Sequence, residues 1–348
     1  MVLVVRHCGL GDLLTALPAM RAIRRHHPEH RLVTTCPTSL LGLARRLAIA
    51  DAFITEPPLA RLDPTQHVSV DEALVSRILT LKWRPKIVVA LRVPVRADLM
   101  AALARMAPER LVAYRHAEVP GTEGFPEFSF DDHILVRWER LLRSSGIRTD
   151  RNDLYLVPDD IVFEPRTGRT VIHVGSASPS RRWPTERWAA VGKAATAMGH
   201  SVVVTGSEAE WPLADMVVRL AGLPRARNLC GSTDILELAA IVQRARLVLS
   251  TDTGIAHLAT AFRRRSVTLF GAVSPAQWGP PTDYKLNVSL WKGGYGEAYA
   301  DTADNGLLGI SISDVLEAIT QSDTVGSTAW TDPSEKGASD ETCSGTAS

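Results

Sequence analysis

Three short segments of the chain bring together residue types that can bind and move a phosphate-linked group. The first, residues 6–12, places Gly9 and Gly11 in a turn that ends in Asp12, directly after an apolar run. A carboxylate presented in this way can accept a proton from a reacting hydroxyl. It can equally well cap its own helix, a structural role worth about 1 kcal/mol. The residues alone leave both roles open for Asp12.

The second segment, residues 175–184, combines small hydroxylated residues with the neighbouring arginines Arg181 and Arg182. Small residues such as Ser176 permit close approach of a phosphate, and guanidinium groups pair with its oxygens. Pro184 then introduces a helix, whose N-terminus favours anions. The alternative is a solvated basic loop. That alternative is weakened because the segment follows a predicted strand, and ligands bind at the carboxyl ends of parallel strands.

The third segment contains Asp252, Thr253, Gly254 and His257, again between a predicted strand and a predicted helix. Backbone N–H groups at such a helix start point toward an anion, and His257 lies one turn further along. The structural alternative is that Asp252 or Thr253 caps the helix while His257 packs in the core. Glu210, near another strand end, offers a carboxylate for ribose hydroxyls, which is a weaker indication by itself.

Two series of strands and helices must position these segments. Short β-branched runs alternate with helical patterns along most of the chain, which is typical of βαβ units with parallel sheets. The predicted strands are 2–5, 32–35, 52–54, 86–91 and 111–114, followed by 170–174, 201–205, 227–229, 247–250 and 266–270. The predicted helices are 13–26, 39–47, 71–82, 97–106, 131–144, 185–198, 210–221, 234–245, 254–262 and 312–320.

The domain organisation follows from the length of 348 residues and from a break in this alternation. A polar stretch with Pro and Gly at 157–169 separates the two series. We therefore predict an N-terminal Rossmann-like domain at 1–157, a C-terminal Rossmann-like domain at 158–320, and a cleft between them. The remainder, 321–348, is rich in Ser, Thr, Gly and acidic residues, so we predict a disordered acidic tail.

Composition and charge exclude several classes of function. The chain has 39 Lys+Arg against 38 Asp+Glu and a formal charge of +1, so no overall field marks a nucleic-acid binder. Without the acidic tail, the rest of the chain has a formal net charge of about +5, which suits binding of an anionic small molecule. The four cysteines form no zinc pattern, and H-E-x-x-H is absent, so we predict no metal site. Lacking a long apolar run and a signal-peptide layout, the sequence predicts a cytoplasmic protein without a transmembrane segment.

The first glycine turn does not match a nicotinamide-binding fingerprint. Leu14 occupies the place of the third glycine in G-x-G-x-x-G. The second predicted strand runs into Cys36 and Pro37, where the fingerprint requires an acidic residue that holds the ribose. A dehydrogenase is therefore the least favoured class of enzyme for this chain.

Taken in this order, the motifs resemble glycosyltransferase family 9, the ADP-heptose:lipopolysaccharide heptosyltransferase family. The resemblance rests on GLGD at 9–12, LPA at 17–19, RRWP at 181–184, DTG at 252–254 with His257, and LFG at 269–271. It covers most of residues 1–280. Members of that family have the GT-B fold, in which two Rossmann-like domains face each other across a cleft. The resemblance thus implies an α/β protein of GT-B architecture, which agrees with the two predicted domains.

The resemblance also implies roles for individual residues. Asp12 matches the family's catalytic aspartate, a general base for the acceptor hydroxyl, and Gly9 and Gly11 form the first turn beside it. The implied donor-binding residues are Ser176, Arg181, Arg182, Glu210, Asp252, Thr253, Gly254 and His257. Arg181 stands where the family usually has lysine, so a planar guanidinium group would contact the diphosphate of the leaving ADP. No cofactor or metal is implied, because the ADP-sugar donor, expected to be ADP-heptose, is itself a substrate.

The implied function is inverting transfer of a heptose or related sugar from an ADP-sugar to a hydroxyl of a glycan or natural product. Direct displacement by the acceptor inverts the anomeric configuration. The expected partners are this donor and this acceptor, without nucleic acid, and a lipid-linked acceptor would add peripheral membrane association. Two alternatives on the same fold stay open. One is a nucleotide-sugar 2-epimerase, against which Asp12 argues, and the other is a nucleotide-sugar-binding protein without catalysis.

Overall fold

The computed structural model describes residues 1–6, 9–56, 83–91, 97–156, 168–281, 285–294, 296–297 and 300–325. The helix predicted at 71–82, the domain boundary predicted after residue 157, and residues 326–348 of the predicted tail lie outside these described residues. In the described part, strands and helices alternate in two series, as the sequence pattern predicted.

The first sheet contains five parallel strands in the order β3-β2-β1-β4-β5. They are β1 (Val2–Val5), β2 (Leu32–Pro37), β3 (Ala52–Glu56), β4 (Ile87–Ala90) and β5 (Arg110–Val112). All four apolar side chains of the central strand β1 are buried, as expected for a strand covered on both faces. Val2 pairs with Leu32 on one side and with Ile87 on the other. The carboxyl ends of the three central strands therefore reach one edge together.

Five helices of the described residues belong to this first half of the chain. They are α1 (Leu10–Thr15), α2 (Leu17–His26), α3 (Leu41–Arg46), α4 (Ala97–Arg105) and α5 (Ile134–Arg143). The prediction of one helix over 13–26 is wrong, because two helices meet at Ala16. Pro18 lacks the N–H that would continue the ladder of hydrogen bonds from α1. The break leaves α1 as a separate short helix that starts at the first glycine turn.

The second sheet contains five parallel strands in the order β10-β9-β8-β6-β7. They are β6 (Arg169–His173), β7 (Ser201–Thr205), β8 (Leu247–Thr251), β9 (Ser266–Phe270) and β10 (Asn287–Trp291). The sequence did not predict β10, a half-exposed edge strand without strong alternation. The strand predicted at 227–229 is wrong, because Pro224 begins a 3₁₀ turn over Arg225–Arg227 and Asn228 forms an isolated bridge to Val204.

The described helices of the second half are α6 (Thr185–Ala197), α7 (Trp211–Leu220), α8 (Ile235–Gln243), α9 (Gly254–Ala261), α10 (Pro275–Trp278), α11 (Asn305–Leu308) and α12 (Ile312–Val325). α12 continues past its predicted end at Thr320, so residues 321–325 are helical and do not begin a disordered tail. Asp323 explains the extension. It pairs with Arg246 Nη2 at 2.9 Å and with His200 Nε2 at 3.0 Å, which fastens the last turn to the sheet.

The two domains share an apolar core. One cluster of buried side chains runs from α1, α2 and α3 of the first domain to α8 and α9 of the second. α1 packs against α9, and α3 packs against α8. Two glycines permit the first of these contacts. A Cβ on Gly254 would lie 2.6 Å from Leu10 Cβ, and one on Gly11 would lie 2.6 Å from His257 Cδ2.

The substitution Gly254→Ala should separate α1 from α9 and destabilise the protein by about 1–3 kcal/mol, because an added methyl overfills a close-packed contact. Equilibrium urea unfolding measures this change. Gly124→Ala is the matched control, since nothing lies within 4 Å of the methyl that it adds. The control should change stability by less than about 0.5 kcal/mol. Equal effects of the two substitutions would contradict the close contact.

Candidate active site

The candidate site lies where the first turns of two helices meet at the carboxyl edges of the two sheets. α1 follows β1 with Gly9 as its N-cap, and α9 follows β8 with Thr253 as its N-cap. Because Gly254 would touch Leu10 and Gly11 through any added Cβ, these two helix starts are adjacent. The positive ends of both helix dipoles therefore face the same region between the domains.

Asp12 lies in the first turn of α1 with a hydrogen bond to each carboxylate oxygen. The Gly9 N–H donates to Oδ2 at 3.0 Å, so Asp12, the third residue of α1, satisfies the N–H of the N-cap residue. Arg6 Nη2 donates to Oδ1, also at 3.0 Å. The Asp12 side chain is 35% exposed, so a ligand in the cleft can still reach it. Capping and proton acceptance, which the sequence left as alternatives, are therefore compatible in one residue.

His257 packs directly over the first turn of α1. Its ring lies against Gly11, and the ring of Trp278 approaches it edge-on with centroids 6.2 Å apart. Burial lowers the pKa of His257 to about 4, although the negative charge of Asp12 acts in the opposite direction. The imidazole is therefore neutral at neutral pH, with one nitrogen that donates a hydrogen bond and one that accepts.

The electrostatic environment of His257 shows which groups converge on it. Besides Asp12, the titratable groups that act on the pKa of His257 are His133, Arg181 and Arg6. Asp12 and Arg6 belong to the first domain, whereas Arg181 belongs to the second. Since such interactions weaken with distance, the predicted base and the predicted phosphate-binding arginine both lie within electrostatic range of His257.

Arg181 and Asp252 form the wall of the site on the second domain. Arg181 Nη1 donates to the main-chain oxygen of Asp252 at 3.3 Å. Burial raises the pKa of the Asp252 carboxyl to about 6, while the positive charge of Arg181 acts to lower it. Next to Asp252, the Thr253 hydroxyl donates to the Thr251 carbonyl at 3.4 Å and does not cap α9. The wall therefore combines a permanent positive charge with a carboxyl that titrates at mildly acidic pH.

The loop after β6 is shaped by its own polar groups. Arg182 donates from Nε and Nη2 to the Ser176 carbonyl at 3.1 and 3.0 Å. The Ser178 N–H donates to the Ser176 hydroxyl at 3.4 Å. The Ser180 N–H donates to the Ala300 carbonyl at 3.1 Å, which ties the loop to the segment before α11. Both Ser176 and Arg182 thus take part in internal bonding of the loop, and their predicted contacts with a donor stay a prediction.

Glu210 reaches the same loop from the neighbouring strand end. Ser207 donates to Glu210 Oε2 from its N–H at 2.7 Å and from its hydroxyl at 2.8 Å. A Cβ on Gly175 would lie 2.0 Å from that oxygen, so only glycine leaves room for Glu210 here. Burial raises the pKa of the nearby Cys230 thiol to about 12, and the Glu210 charge adds to this rise. Glu210 therefore stands at the start of the predicted phosphate-binding loop.

Three residues close to the site were not predicted from the sequence: Arg6, His133 and Trp278. His133 is the N-cap of α5, and its Nδ1 accepts from the Leu135 N–H at 3.2 Å. Its Nε2 therefore donates to the Gly279 carbonyl of the second domain, 2.9 Å away. Burial lowers the pKa of His133, which favours this neutral bridging form. Arg6 was detectable as a charge directly after an entirely apolar strand, whereas no local pattern marks the other two.

The acidic groups of the site lie on three separate segments: Asp12 on α1, Asp252 in the loop between β8 and α9, and Glu210 in the 3₁₀ turn Glu208–Glu210. No cluster of three His, Cys, Asp or Glu side chains suited to a metal ion is found within the described ranges. Among the helices described above, none is long and apolar enough to cross a bilayer. Arg181 and the N–H groups at the start of α9 are positive groups of the second domain that suit an anion.

Two parallel-sheet domains whose carboxyl edges face one cleft define the GT-B fold, and solved structures confirm that prediction. A glycosyltransferase of family 9 from Veillonella parvula matches with a TM-score of 0.69 at 18% identity, over 92% of this chain and 96% of that one. An Escherichia coli heptosyltransferase solved with ADP gives a TM-score of 0.65 at 18% identity, over 92% of this chain and 99% of the other.

Sequence comparison confirms the resemblance to one family within that fold. The sequence model of glycosyltransferase family 9 (heptosyltransferase) matches residues 159–298. Lipopolysaccharide heptosyltransferase 2 of Escherichia coli is 27% identical over 148 residues, 40% of this chain and 42% of that protein. Lipooligosaccharide heptosyltransferase 2 of Haemophilus influenzae is 28% identical over 115 residues, 32% of each chain. The aligned part thus spans less than half the length of these curated relatives.

The substitution Asp252→Asn should increase the free energy of unfolding at neutral pH, because the folded protein no longer has to bury a charged carboxylate. The folded pKa of about 6 lies above the ordinary value of 3.8, so the folded protein binds more protons between these values. Asp252 therefore lowers stability as the pH rises through this window. The variant should be more stable than the wild type by on the order of 1–3 kcal/mol at pH 7.5, and this advantage should vanish near pH 4.

Urea unfolding across this pH range measures the difference. The titration of His257 occurs in both proteins and cancels in the comparison. Asp131→Asn, on an exposed carboxylate, is the control and should follow the wild type at every pH. A constant difference between Asp252→Asn and the wild type would contradict the assigned environment of Asp252.

Proposed function

We propose that this protein is an inverting glycosyltransferase that moves a heptose or a related sugar from an ADP-sugar to an acceptor hydroxyl. The observation that carries the proposal is the position of Asp12. This partly exposed carboxylate of the first domain acts on the pKa of His257 in the second domain, and so does Arg181. A base on one side of the cleft and groups that stabilise an anion on the other suit displacement of a diphosphate by a hydroxyl.

Asp12 is the proposed general base. Gly9 and Arg6 each donate to one of its oxygens, which leaves further lone pairs on both oxygens to accept a proton. As the acceptor oxygen attacks the anomeric carbon, its proton passes to Asp12. The bond between the anomeric carbon and the diphosphate oxygen breaks at the same time, and the electron pair leaves with ADP. Attack on the face opposite to ADP inverts the configuration.

The second domain is proposed to stabilise the leaving diphosphate. Arg181 keeps its charge at any working pH, and the N–H groups at the start of α9 favour an anion. His257 is neutral, so it can donate a hydrogen bond to the diphosphate without first gaining a proton. Burial already raises the pKa of Asp252 to about 6, and the negative charge of an approaching diphosphate raises it further, so protonation of Asp252 reduces repulsion between like charges.

The identity of the donor is supported by the relatives. An Escherichia coli heptosyltransferase of the same fold was solved with ADP-2-deoxy-2-fluoro heptose. We assign the ribose hydroxyls of ADP to Glu210, which stands beside the loop that holds Arg181. We propose a glycan or natural product as the acceptor and the cytoplasm as the location, with peripheral membrane association where the acceptor is lipid-linked. These assignments concern the whole chain, whereas the aligned relatives match only part of it.

A nucleotide-sugar 2-epimerase and a binding protein without catalysis are alternatives on the same fold. The curated relatives named above are heptosyltransferases, so the comparisons do not favour either alternative. An epimerase would act on the nucleotide-sugar without an acceptor. Turnover of a nucleotide-sugar in the absence of any acceptor, with the sugar kept on the nucleotide, would identify that activity.

The first test is calorimetric titration of the protein with ADP, UDP, GDP and NAD, with and without a divalent metal ion. A preference for ADP that does not depend on metal supports the proposed donor class and justifies a screen of ADP-heptose against candidate acceptors. A preference for UDP or GDP would discard the ADP-sugar donor. Binding of NAD alone would overturn the proposal.

The substitution Asp12→Asn should lower the transfer rate by at least about 100-fold, because the amide cannot take the proton of the acceptor hydroxyl. The affinity for ADP should stay within about twofold of the wild type, since the nucleotide binds to the second domain. A transfer assay with ADP-heptose and calorimetry with ADP measure the two quantities. Transfer at the normal rate would rule out Asp12 as the base.

The substitution Arg181→Ala should weaken ADP binding by about 10- to 100-fold, which is the usual contribution of a charged hydrogen bond to a phosphate. Arg219→Ala is the matched control, since Arg219 is an exposed arginine of the same domain that pairs with Asp215. Calorimetric titration with ADP compares the two variants. If Arg181→Ala bound ADP as tightly as the control, the loop after β6 would have no part in donor binding.

A further inference from the structure

Arg6 connects three elements behind Asp12. Its side chain is only 5% exposed. Nη1 donates to the Leu91 carbonyl at 2.7 Å, Nε to the Asp12 carbonyl at 2.9 Å, and Nη2 to Asp12 Oδ1 at 3.0 Å. The guanidinium lies over the Trp138 ring, 4.5 Å from its centroid. One side chain thus joins the end of β4, the first turn of α1, and α5.

The main chain of Arg6 is fixed as well. Its N–H donates to Thr35 Oγ1 at 2.9 Å, and the Thr35 hydroxyl donates in turn to the Arg6 carbonyl. Thr35 belongs to β2, so Arg6 is held where the carboxyl ends of β2, β1 and β4 lie side by side. The guanidinium cannot turn away from Asp12 without losing hydrogen bonds to the end of β4 and to α1.

The hydrogen bond from the N-cap of α1 accounts for only one of the two Asp12 oxygens. The Gly9 N–H occupies Oδ2, which is all that capping requires. Oδ1 has a buried cation as its partner, and a buried guanidinium is costly unless its N–H groups are bonded. Donors on two sides fix the plane of the carboxylate as well as its position. A helix cap has no need of this second constraint, whereas a base that must meet a hydroxyl in one direction does.

We propose that Arg6 is a positioning residue, which holds the Asp12 carboxylate in the orientation that receives the proton of the acceptor hydroxyl. This inference rests on the proposed role of Asp12 as the base. Proton transfer depends steeply on geometry, and a displacement of about 1 Å can lower a rate by about 100-fold. The donor binds to the second domain, so loss of Arg6 reduces kcat and leaves donor binding intact.

Two substitutions separate the charge of Arg6 from its shape. Arg6→Gln removes the charge and the planar guanidinium group. Arg6→Lys keeps a positive charge but replaces the guanidinium by a single ammonium nitrogen. kcat should fall by about 100-fold in Arg6→Gln and by less in Arg6→Lys. The KM for the donor and the Kd for ADP should stay within about twofold in both. In an Asp12→Asn background, Arg6→Gln should lower kcat by less than about threefold further, because both changes act through one carboxylate.

Arg137→Gln is the matched control for the loss of a buried arginine. Arg137 on α5 is 4% exposed, lies over the Phe128 ring at 5.2 Å, and donates to the Phe130 carbonyl. It should leave kcat within about threefold of the wild type even where stability falls. Should Arg6→Gln fail to fold, Arg6→Lys carries the test, since it retains the buried charge.

Crystal structures of the Arg6 variants give a result that does not depend on activity. The Asp12 carboxylate should rotate, with Oδ1 displaced by more than about 1 Å. A carboxylate that keeps its place, or a loss of kcat fully additive with that of Asp12→Asn, would overturn the positioning role. Absence of sugar transfer by the wild type would instead contradict the proposed function, and the position of the carboxylate would still decide the role of Arg6.

Discussion

The contact between the first turns of α1 and α9 is the constraint on which the candidate site depends. Neither helix could approach the other if Gly11 or Gly254 carried a side chain. Their proximity sets the distance between the Asp12 carboxylate of one domain and the proposed anion-binding groups of the other. It also directs the positive ends of two helix dipoles at a single region. The geometry of the site is therefore a property of the domain interface as much as of either domain.

Burial at this interface sets the protonation states of the groups around it. It lowers the pKa of His257 to about 4 and raises that of Asp252 to about 6, so both groups tend toward their neutral forms. The two arginines, Arg6 and Arg181, keep their charges. Arg6 bonds to the Asp12 carboxylate of the first domain, whereas Arg181 bonds to the main chain of Asp252 in the second, so the proposed base and the proposed anion-binding group each have their own arginine.

The sequence predicted most of the fold, and it singled out residues that the structure brings together, because both follow from local patterns. The alternation of strand and helix patterns located nine of the ten strands in the described part of the chain. The motifs at the strand ends drew attention to Asp12, Arg181 and His257. The break between α1 and α2 was also readable, since Pro18 cannot donate a hydrogen bond. The different orientations of the adjacent arginines Arg181 and Arg182 could not be predicted from the sequence. Whether Arg181 or Arg182 turns back on its own loop depends on the 3₁₀ turn at Pro179–Arg181, which composition does not reveal.

Other features could not be predicted because they join distant parts of the chain. His133 and Gly279 are 146 positions apart, and no pattern in either segment indicates their hydrogen bond. Arg6 lies only six positions from Asp12, but its hydrogen-bond partners Thr35 and Leu91 are 29 and 85 positions away, so its burial was not evident. β10 is an edge strand whose half-exposed residues lack a clear period. Tertiary contacts decide such features.

The apolar core shared by the two domains limits how modular the protein is. Where two domains are connected only by a linker, domains with different substrate preferences can be exchanged between related enzymes. Here α8 and α9 pack into the same core as α1 and α3, so a chimera cut between the domains would pair surfaces that do not fit. These four helices form one unit for protein engineering. Exchange of single loops at the strand ends would preserve that unit, whereas exchange of whole domains would not.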